Sequence, residues 1–132
     1  MTKFVVLKLI GLAILTMITL VAISILEVTV YSYIINPVHE VSVYDAHAEF
    51  TSPYISGIFG FIIFFLVARY WKKKGYHNAA RLIILFPAIY VMLDILILLS
   101  FAMARFNDFI LIFLIANAAK FLGSYLGYKL TK

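Results

Sequence analysis

Cysteine and charged residues are what this sequence most clearly lacks. None of the 132 residues is cysteine, and only 13% are Asp, Glu, Lys or Arg. The first absence excludes disulfides, thiolate metal sites and cysteine nucleophiles. The second is well below the roughly 25% typical of soluble domains, while 65% of the residues are hydrophobic. A small soluble domain keeps a large share of its residues at the surface, so the composition excludes an ordinary water-soluble fold.

Breaks in the apolar sequence are also few, and they divide it into four stretches. The chain has only three prolines and six glycines, with no repeat, low-complexity tract or linker, which predicts a single domain. A helix needs about 20 apolar residues to cross a bilayer. We therefore predict an all-α integral membrane protein, a four-transmembrane-helix bundle. Its helices are predicted over residues 5–33, 53–71, 78–104 and 109–128, with an outer loop over 36–52 and a basic inner loop over 69–81.

The first predicted helix has a rival interpretation as a signal peptide. Lys3 and Lys8 resemble a basic n-region, and residues 22–24 loosely resemble a cleavage site. The apolar run is longer than a usual signal-peptide core, which favours a retained membrane helix.

Basic residues fall mostly on one predicted side of the membrane. Placing both termini in the cytoplasm leaves nine of the eleven Lys and Arg residues inside, namely Lys3, Lys8, Arg69, Lys72, Lys73, Lys74, Arg81, Lys129 and Lys132. Arg105 then lies outside and Lys120 within the fourth helix. The positive-inside rule predicts this orientation, N-in and C-in, in a bacterial-type inner (plasma) membrane. Lipid head groups account for the net charge of +5, so no nucleic-acid partner is predicted.

Two ionisable residues, Asp94 and Lys120, are predicted inside the membrane. A charge there costs at least about 2.5 kcal/mol, so such residues face protein or water. At about 1.5 Å per residue, Asp94 lies about 18 Å from the inner boundary and Lys120 about 14 Å. Because the third and fourth helices are joined by a short turn, they are expected to be antiparallel neighbours, and we predict that the two side chains form an ion pair. This pair would either fix the register of the two helices or line a polar path. Alternatively, Lys120 extends to a lipid head group and does not meet Asp94.

Polar and small residues share one side of the fourth helix. Asn117, Lys120 and Ser124 form one stripe, and Ala119, Gly123 and Gly127 form another beside it. Small residues at this spacing let a second helix backbone approach closely. The stripe therefore predicts a packing face, within the protomer or between protomers.

Supporting residues are predicted on the other helices. Tyr90 lies on the Asp94 side of the third helix and is a candidate hydrogen-bond partner, or else a packing residue. Pro87 frees the carbonyl of Ile83 in the same helix. Ser56, Gly57 and Gly60 predict a second packing patch, and Glu27 is predicted to be a solvated carboxylate near the outer interface.

The predicted outer loop carries the only candidate metal ligands, His39, His47 and Glu49. These residue types bind divalent metals, but their spacing fits no defined motif. Asp45, His47 and Glu49 alternate and would share a side only on an extended strand. An acidic, solvated loop is the preferred interpretation, and no cofactor is predicted.

No catalytic motif is present in the sequence, which argues against an enzyme. Three functions remain as hypotheses. The first is a non-enzymatic structural or accessory membrane subunit, and the second an oligomeric small transporter or channel that uses Asp94 and Lys120. The third is a membrane enzyme or metal-binding protein that uses the outer loop. The expected partners are the lipid bilayer and either further copies of the chain or a larger membrane complex.

Overall fold

The computed structural model of the protein describes residues 2–101 and 106–132, and these residues form four long helices without a strand. The helices are α1 (Lys3–Val30), α2 (Val41–Lys73), α3 (Ala79–Phe101) and α4 (Phe106–Lys129). A π-helical turn, Tyr31–Ile35, continues α1. Each of the four helices is long and apolar enough to cross a membrane.

The sequence prediction places the start of the second helix twelve residues too late. α2 begins at Val41, so the connection after the π-helical turn spans only 36–40, and the predicted loop over 36–52 is wrong for its last twelve residues. Pro53 lies inside the helix and does not begin it. The 33 residues of α2 span about 50 Å at 1.5 Å per residue, more than the roughly 30 Å hydrocarbon core. The first turns of α2 are polar because this helix extends beyond its apolar part.

The turn between α2 and α3 is also shorter than the predicted basic loop over 69–81. α2 continues through Lys73 and α3 begins at Ala79. Gly75 adopts a left-handed conformation with a φ of 66°. The Gly75 N–H donates to the carbonyl of Lys72 and the Tyr76 N–H to that of Trp71. This is the Schellman pattern, which satisfies terminal carbonyls and ends a helix abruptly.

The third and fourth helices lie close to their predicted positions. α3 begins one residue later than predicted, and α4 extends over Phe106–Lys129 in place of 109–128. Residues 102–105 between them, including Arg105, lie outside the described residues.

α2 and α4 pack most closely, because glycines remove the side chains between them. A Cβ added at Gly123 or Gly127 would collide with the backbone carbonyl of Phe61 or Phe65, respectively. At Gly57 a Cβ would lie 3.6 Å from the Cα of Ala116. The predicted small-residue faces on these two helices therefore meet within one protomer. Both sets of residues advance together along the chain, so the two helices run parallel.

The apolar core lies at the end of the bundle that holds the α2–α3 turn. Phe64 stacks on Phe86 there with ring centroids 4.3 Å apart. Trp71 meets Phe86 edge to face, with centroids 5.6 Å apart. α1 adds its buried residues only up to Leu20. Beyond Leu20 no residue of α1 is buried, and this half of the helix borders a cleft.

Candidate functional site

Lys120 is completely buried at the centre of the bundle. Its side chain is 0% exposed, and the Nζ atom donates to Ser56 Oγ at 2.8 Å and to the Ala116 carbonyl at 3.4 Å. The ammonium also lies 4.9 Å from the centre of the Tyr90 ring, within the range of a cation–π interaction. Gly60 leaves room for the aliphatic part of this side chain, since a Cβ there would lie 2.8 Å from Lys120 Cε. Lys120 therefore does not extend to a head group.

Asp94 lies near Lys120 but does not form the predicted direct ion pair with it. Its carboxylate Oδ2 accepts a hydrogen bond from Asn117 Nδ2 at 3.3 Å, whereas the hydrogen-bond partners of the Lys120 ammonium are uncharged. The two charged groups are still close enough to interact electrostatically. The structure therefore brings the two residues near each other without the direct contact, because Ser56 of α2 binds the ammonium instead.

Ser124 and the backbone carbonyl of Ile83 form a second polar contact between α3 and α4. Because proline lacks an N–H, Pro87 leaves the carbonyl of Ile83 without its helical donor. Ser124 Oγ donates to this carbonyl at 2.7 Å, and Ser124 is fully buried. An unpaired carbonyl in hydrocarbon costs several kcal/mol, so this bond ties the helices together.

A cleft of about 530 Å³ lies between α1, α2 and α3, and we call it the α1–α3 cleft. Ser56, Tyr90 and Asp94 line it near the middle of the bundle, and Thr29 and Ala48 line it near the α1–α2 connection. Its remaining lining residues are mostly apolar: Met17, Leu20, Val21, Ser24, Ile25, Val28, Ser52 and Ile97. The cleft exists because α1 does not pack against the core beyond Leu20. Asp94 is thus the acidic residue among the described lining residues of a largely apolar cavity, whereas Lys120 does not line it.

Asn117 of α4 binds Asp94 but does not itself line the cleft. Asn117 is 4% exposed, and its Oδ1 atom has no hydrogen-bond partner among the described residues. Its Nδ2 atom is engaged by Asp94 and by the Phe113 carbonyl. The Asp94 carboxylate is therefore held by a hydrogen bond from a neutral amide.

A separate polar cluster joins α1 to the first turns of α2. His47 Nε2 lies 2.6 Å from Glu27 Oε1, and Thr51 Oγ1 donates to Glu27 Oε2 at 3.0 Å. The His47 ring stacks on Tyr31 with centroids 3.6 Å apart. Glu27, predicted as a solvated interfacial group, is therefore a partner of His47 and Thr51, which sequence spacing alone did not indicate.

The weak metal candidates His39, His47 and Glu49 are not brought together. No group of three His, Asp or Glu side chains converges as metal ligands in the described ranges 2–101 and 106–132. Residues 45, 47 and 49 lie on a helix, where alternate residues point in different directions. The strand-like alternation seen in the sequence therefore has no structural counterpart.

Ser56 is the site residue that sequence reasoning missed. It was assigned to a helix-packing patch with Gly57 and Gly60, because a serine among small residues is typical of such a patch. Its pairing with Lys120 depends on the register of α2 against α4, which the order of residues does not reveal. Comparison with protein-family models, curated proteins and solved structures finds no match to this chain.

Proposed function

We propose that this protein is a small solute-binding membrane protein of the transporter or channel class, and that its solute occupies the α1–α3 cleft. The observation that supports this is the position of Asp94, which lines a cavity of about 530 Å³ between three helices that are apolar enough to span a membrane. Ionisable residues inside membranes are costly, and they mark substrate and ion pathways. A cavity of this size falls within the range of small-molecule sites.

In this proposal both termini lie in the cytoplasm of a bacterial-type cell, and the cleft opens toward the outside. The four carboxylates between residues 9 and 68, with no Lys or Arg in that range, then surround the outer ends of α1 and α2. The basic α2–α3 turn lies inside, in agreement with the positive-inside rule.

Lys120 has a structural role in this proposal. A fully buried ammonium held by Ser56 and Ala116 fixes the register of α2 against α4 and leaves Asp94 as the group that meets solute. Four helices enclose little space of their own, so a complete translocation path would be formed by several copies of the chain.

The absence of cysteine allows a direct test of the cleft. In a chain with no native thiol, Ser24→Cys places the only thiol in the cleft, and Ile18→Cys places it on an exposed apolar position of the same helix outside the cleft. A membrane-impermeant thiol reagent added to intact cells should modify Ser24→Cys, and Ile18→Cys should stay unmodified. The proposal would be contradicted if Ser24→Cys did not react while the control variant Ser42→Cys, at an exposed position, did react.

A second candidate function is that of an accessory subunit in a larger membrane complex. It is favoured by an apolar groove of about 850 Å³ between α2 and α4, lined by small residues such as Gly57, Ala116 and Ala119. Small residues allow a further helix to approach closely. Ala119→Phe would fill this groove, whereas Ala118→Phe, at an exposed position outside it, would not. If this function is correct, only Ala119→Phe should reduce the size of the complex extracted in mild detergent.

A further inference from the structure

The α1–α3 cleft contains an acid but no base. Its lining includes the Asp94 carboxylate, several hydroxyls and apolar side chains, and none of its lining residues is Lys, Arg or His. Lys120, the nearest cation, is held at Ser56 and Ala116 and is not in ion-pair contact with Asp94. The carboxylate therefore has no direct counter-ion.

A buried charge is stabilised when a partner of opposite sign contacts it directly. The direct partner of Asp94 is the neutral Asn117 amide at 3.3 Å, so the carboxylate that lines the cleft has no contacting cation among the described residues. A ligand that contacts this carboxylate must bring positive charge or hydrogen-bond donors, and an anion would be repelled by it.

The walls of the cleft set the rest of the ligand. Leu20, Val21, Ile25, Val28 and Ile97 supply aliphatic surface, which a small hydrated metal ion would leave exposed to water. A molecule with an apolar body removes that surface from water as it binds, at about 25 cal/mol per Å². A volume of about 530 Å³ accommodates a drug-sized molecule.

We propose that the α1–α3 cleft binds an organic cation with an apolar body, and that Asp94 is the counter-ion of its charged group. This inference rests on the proposed solute-binding function and adds the chemical class of the solute. The charge balance of the range 9–68 is consistent with it, because four Asp and Glu residues with no Lys or Arg raise the local concentration of cations.

The test uses the Ser24→Cys protein in lipid nanodiscs and the rate at which N-ethylmaleimide modifies its only thiol. The probe is benzyltrimethylammonium, compared with its neutral carbon isostere neopentylbenzene and with the anion benzenesulfonate. At about ten times its dissociation constant the cation should slow modification about tenfold, as simple occupancy requires. The neutral and anionic compounds should leave the rate unchanged.

The variant Asp94→Asn should raise the dissociation constant of the cation at least about thirtyfold, since removing one partner of a buried charge pair is costly. The same concentration of the cation should then slow modification by less than about 1.5-fold. Asp45→Asn removes an exposed carboxylate of α2 outside the cleft and should leave protection intact. If Asp94→Asn does not fold, a second pair of variants tests the cleft with the single thiol placed at Ser52. Val21→Trp narrows the cleft and leaves Asp94 unchanged, so the cation should no longer protect this thiol. Ile18→Trp lies outside the cleft and should leave protection intact.

The two proposals fail differently in this experiment. Equal protection by the three compounds, no protection by the cation, or full protection in Asp94→Asn would overturn the organic-cation inference and leave the solute-binding cleft in place. A Ser24→Cys thiol that never reacts, in cells or in nanodiscs, would overturn the cleft itself.

Discussion

At the scale of single residues, the centre of the bundle separates two charges that the sequence suggests as a pair. The Lys120 ammonium is bound by a hydroxyl and a carbonyl, and the Asp94 carboxylate by an amide. The Lys120 side chain is fully buried in protein, whereas the Asp94 side chain lines a cavity. In the proposed function, Lys120 therefore stabilises the fold and Asp94 contacts the solute.

The variant Ser56→Ala should test whether the buried Lys120 ammonium stabilises the fold through Ser56. Removing the hydroxyl leaves the buried ammonium without its closest acceptor, and we expect a loss of about 1–3 kcal/mol in the free energy of unfolding. In a Lys120→Met background the same change should cost less than about 0.5 kcal/mol, because the interaction is already gone. Unfolding of the four proteins in detergent, followed by circular dichroism, measures this cycle. Equal costs in both backgrounds would contradict the assignment.

The sequence was enough to identify Asp94, Lys120, Asn117 and Ser124, because polar residues stand out within apolar helices. It could not assign their partners. Because an unpaired charge in hydrocarbon is costly, Lys120 needs a hydrogen-bond acceptor. A serine hydroxyl, a carboxylate or a backbone carbonyl could each be that acceptor. Only the packing of α2 against α4 selects Ser56.

At the scale of helices, α2 and α4 depend on glycine for their close approach. Gly123 and Gly127 face backbone carbonyls of Phe61 and Phe65, so a methyl group at either position forces the helices apart. Backbone cannot rotate away as a flexible side chain can. The small-residue spacing in the sequence predicts a packing face, but it could not choose between α2 and a second protomer as the partner.

Gly123→Ala should lower the free energy of unfolding by about 1–3 kcal/mol, the usual cost of overpacking. Gly11→Ala is the matched control, because a Cβ at Gly11 has no neighbour within 4 Å and alanine favours a helix more than glycine does. Its stability should be unchanged or slightly higher. Thermal unfolding in detergent compares the two, and an equal loss in both would exclude close packing at Gly123 as the cause.

The start of α2 shows where reading elements from sequence fails. Residues 41–52 are polar and precede a proline, which favours a loop with a helix beginning at Pro53. Contacts outside the segment hold it as a helix instead. His47 pairs with Glu27 and stacks on Tyr31, and Thr51 also bonds Glu27. Such long-range contacts override local preference.

At the scale of the whole molecule, the bundle is well packed at one end and open at the other. The aromatic core fills the end near the α2–α3 turn, and the α1–α3 cleft occupies the opposite half. Hydropathy alone predicted the number of helices, since each apolar stretch is close to a bilayer thickness. The cleft was not predictable, because it depends on where α1 leaves the core.

The proposed orientation can be tested with single thiols at the two ends. Ser42 lies near the start of α2 and His77 in the α2–α3 turn, and both are exposed. In intact cells an impermeant maleimide should label Ser42→Cys, and it should label His77→Cys only after permeabilisation. The reverse pattern would show that the basic turn lies outside and would contradict the positive-inside assignment.

The bond from Ser124 to the Ile83 carbonyl has a consequence for biogenesis. When α3 enters the bilayer by itself, Pro87 leaves that carbonyl with no donor, and lipid offers none. The donor arrives only with α4, forty-one residues further along the chain. The two helices are therefore expected to leave the translocon as one hairpin, and the insertion of α3 is expected to be complete only after α4 has been synthesised.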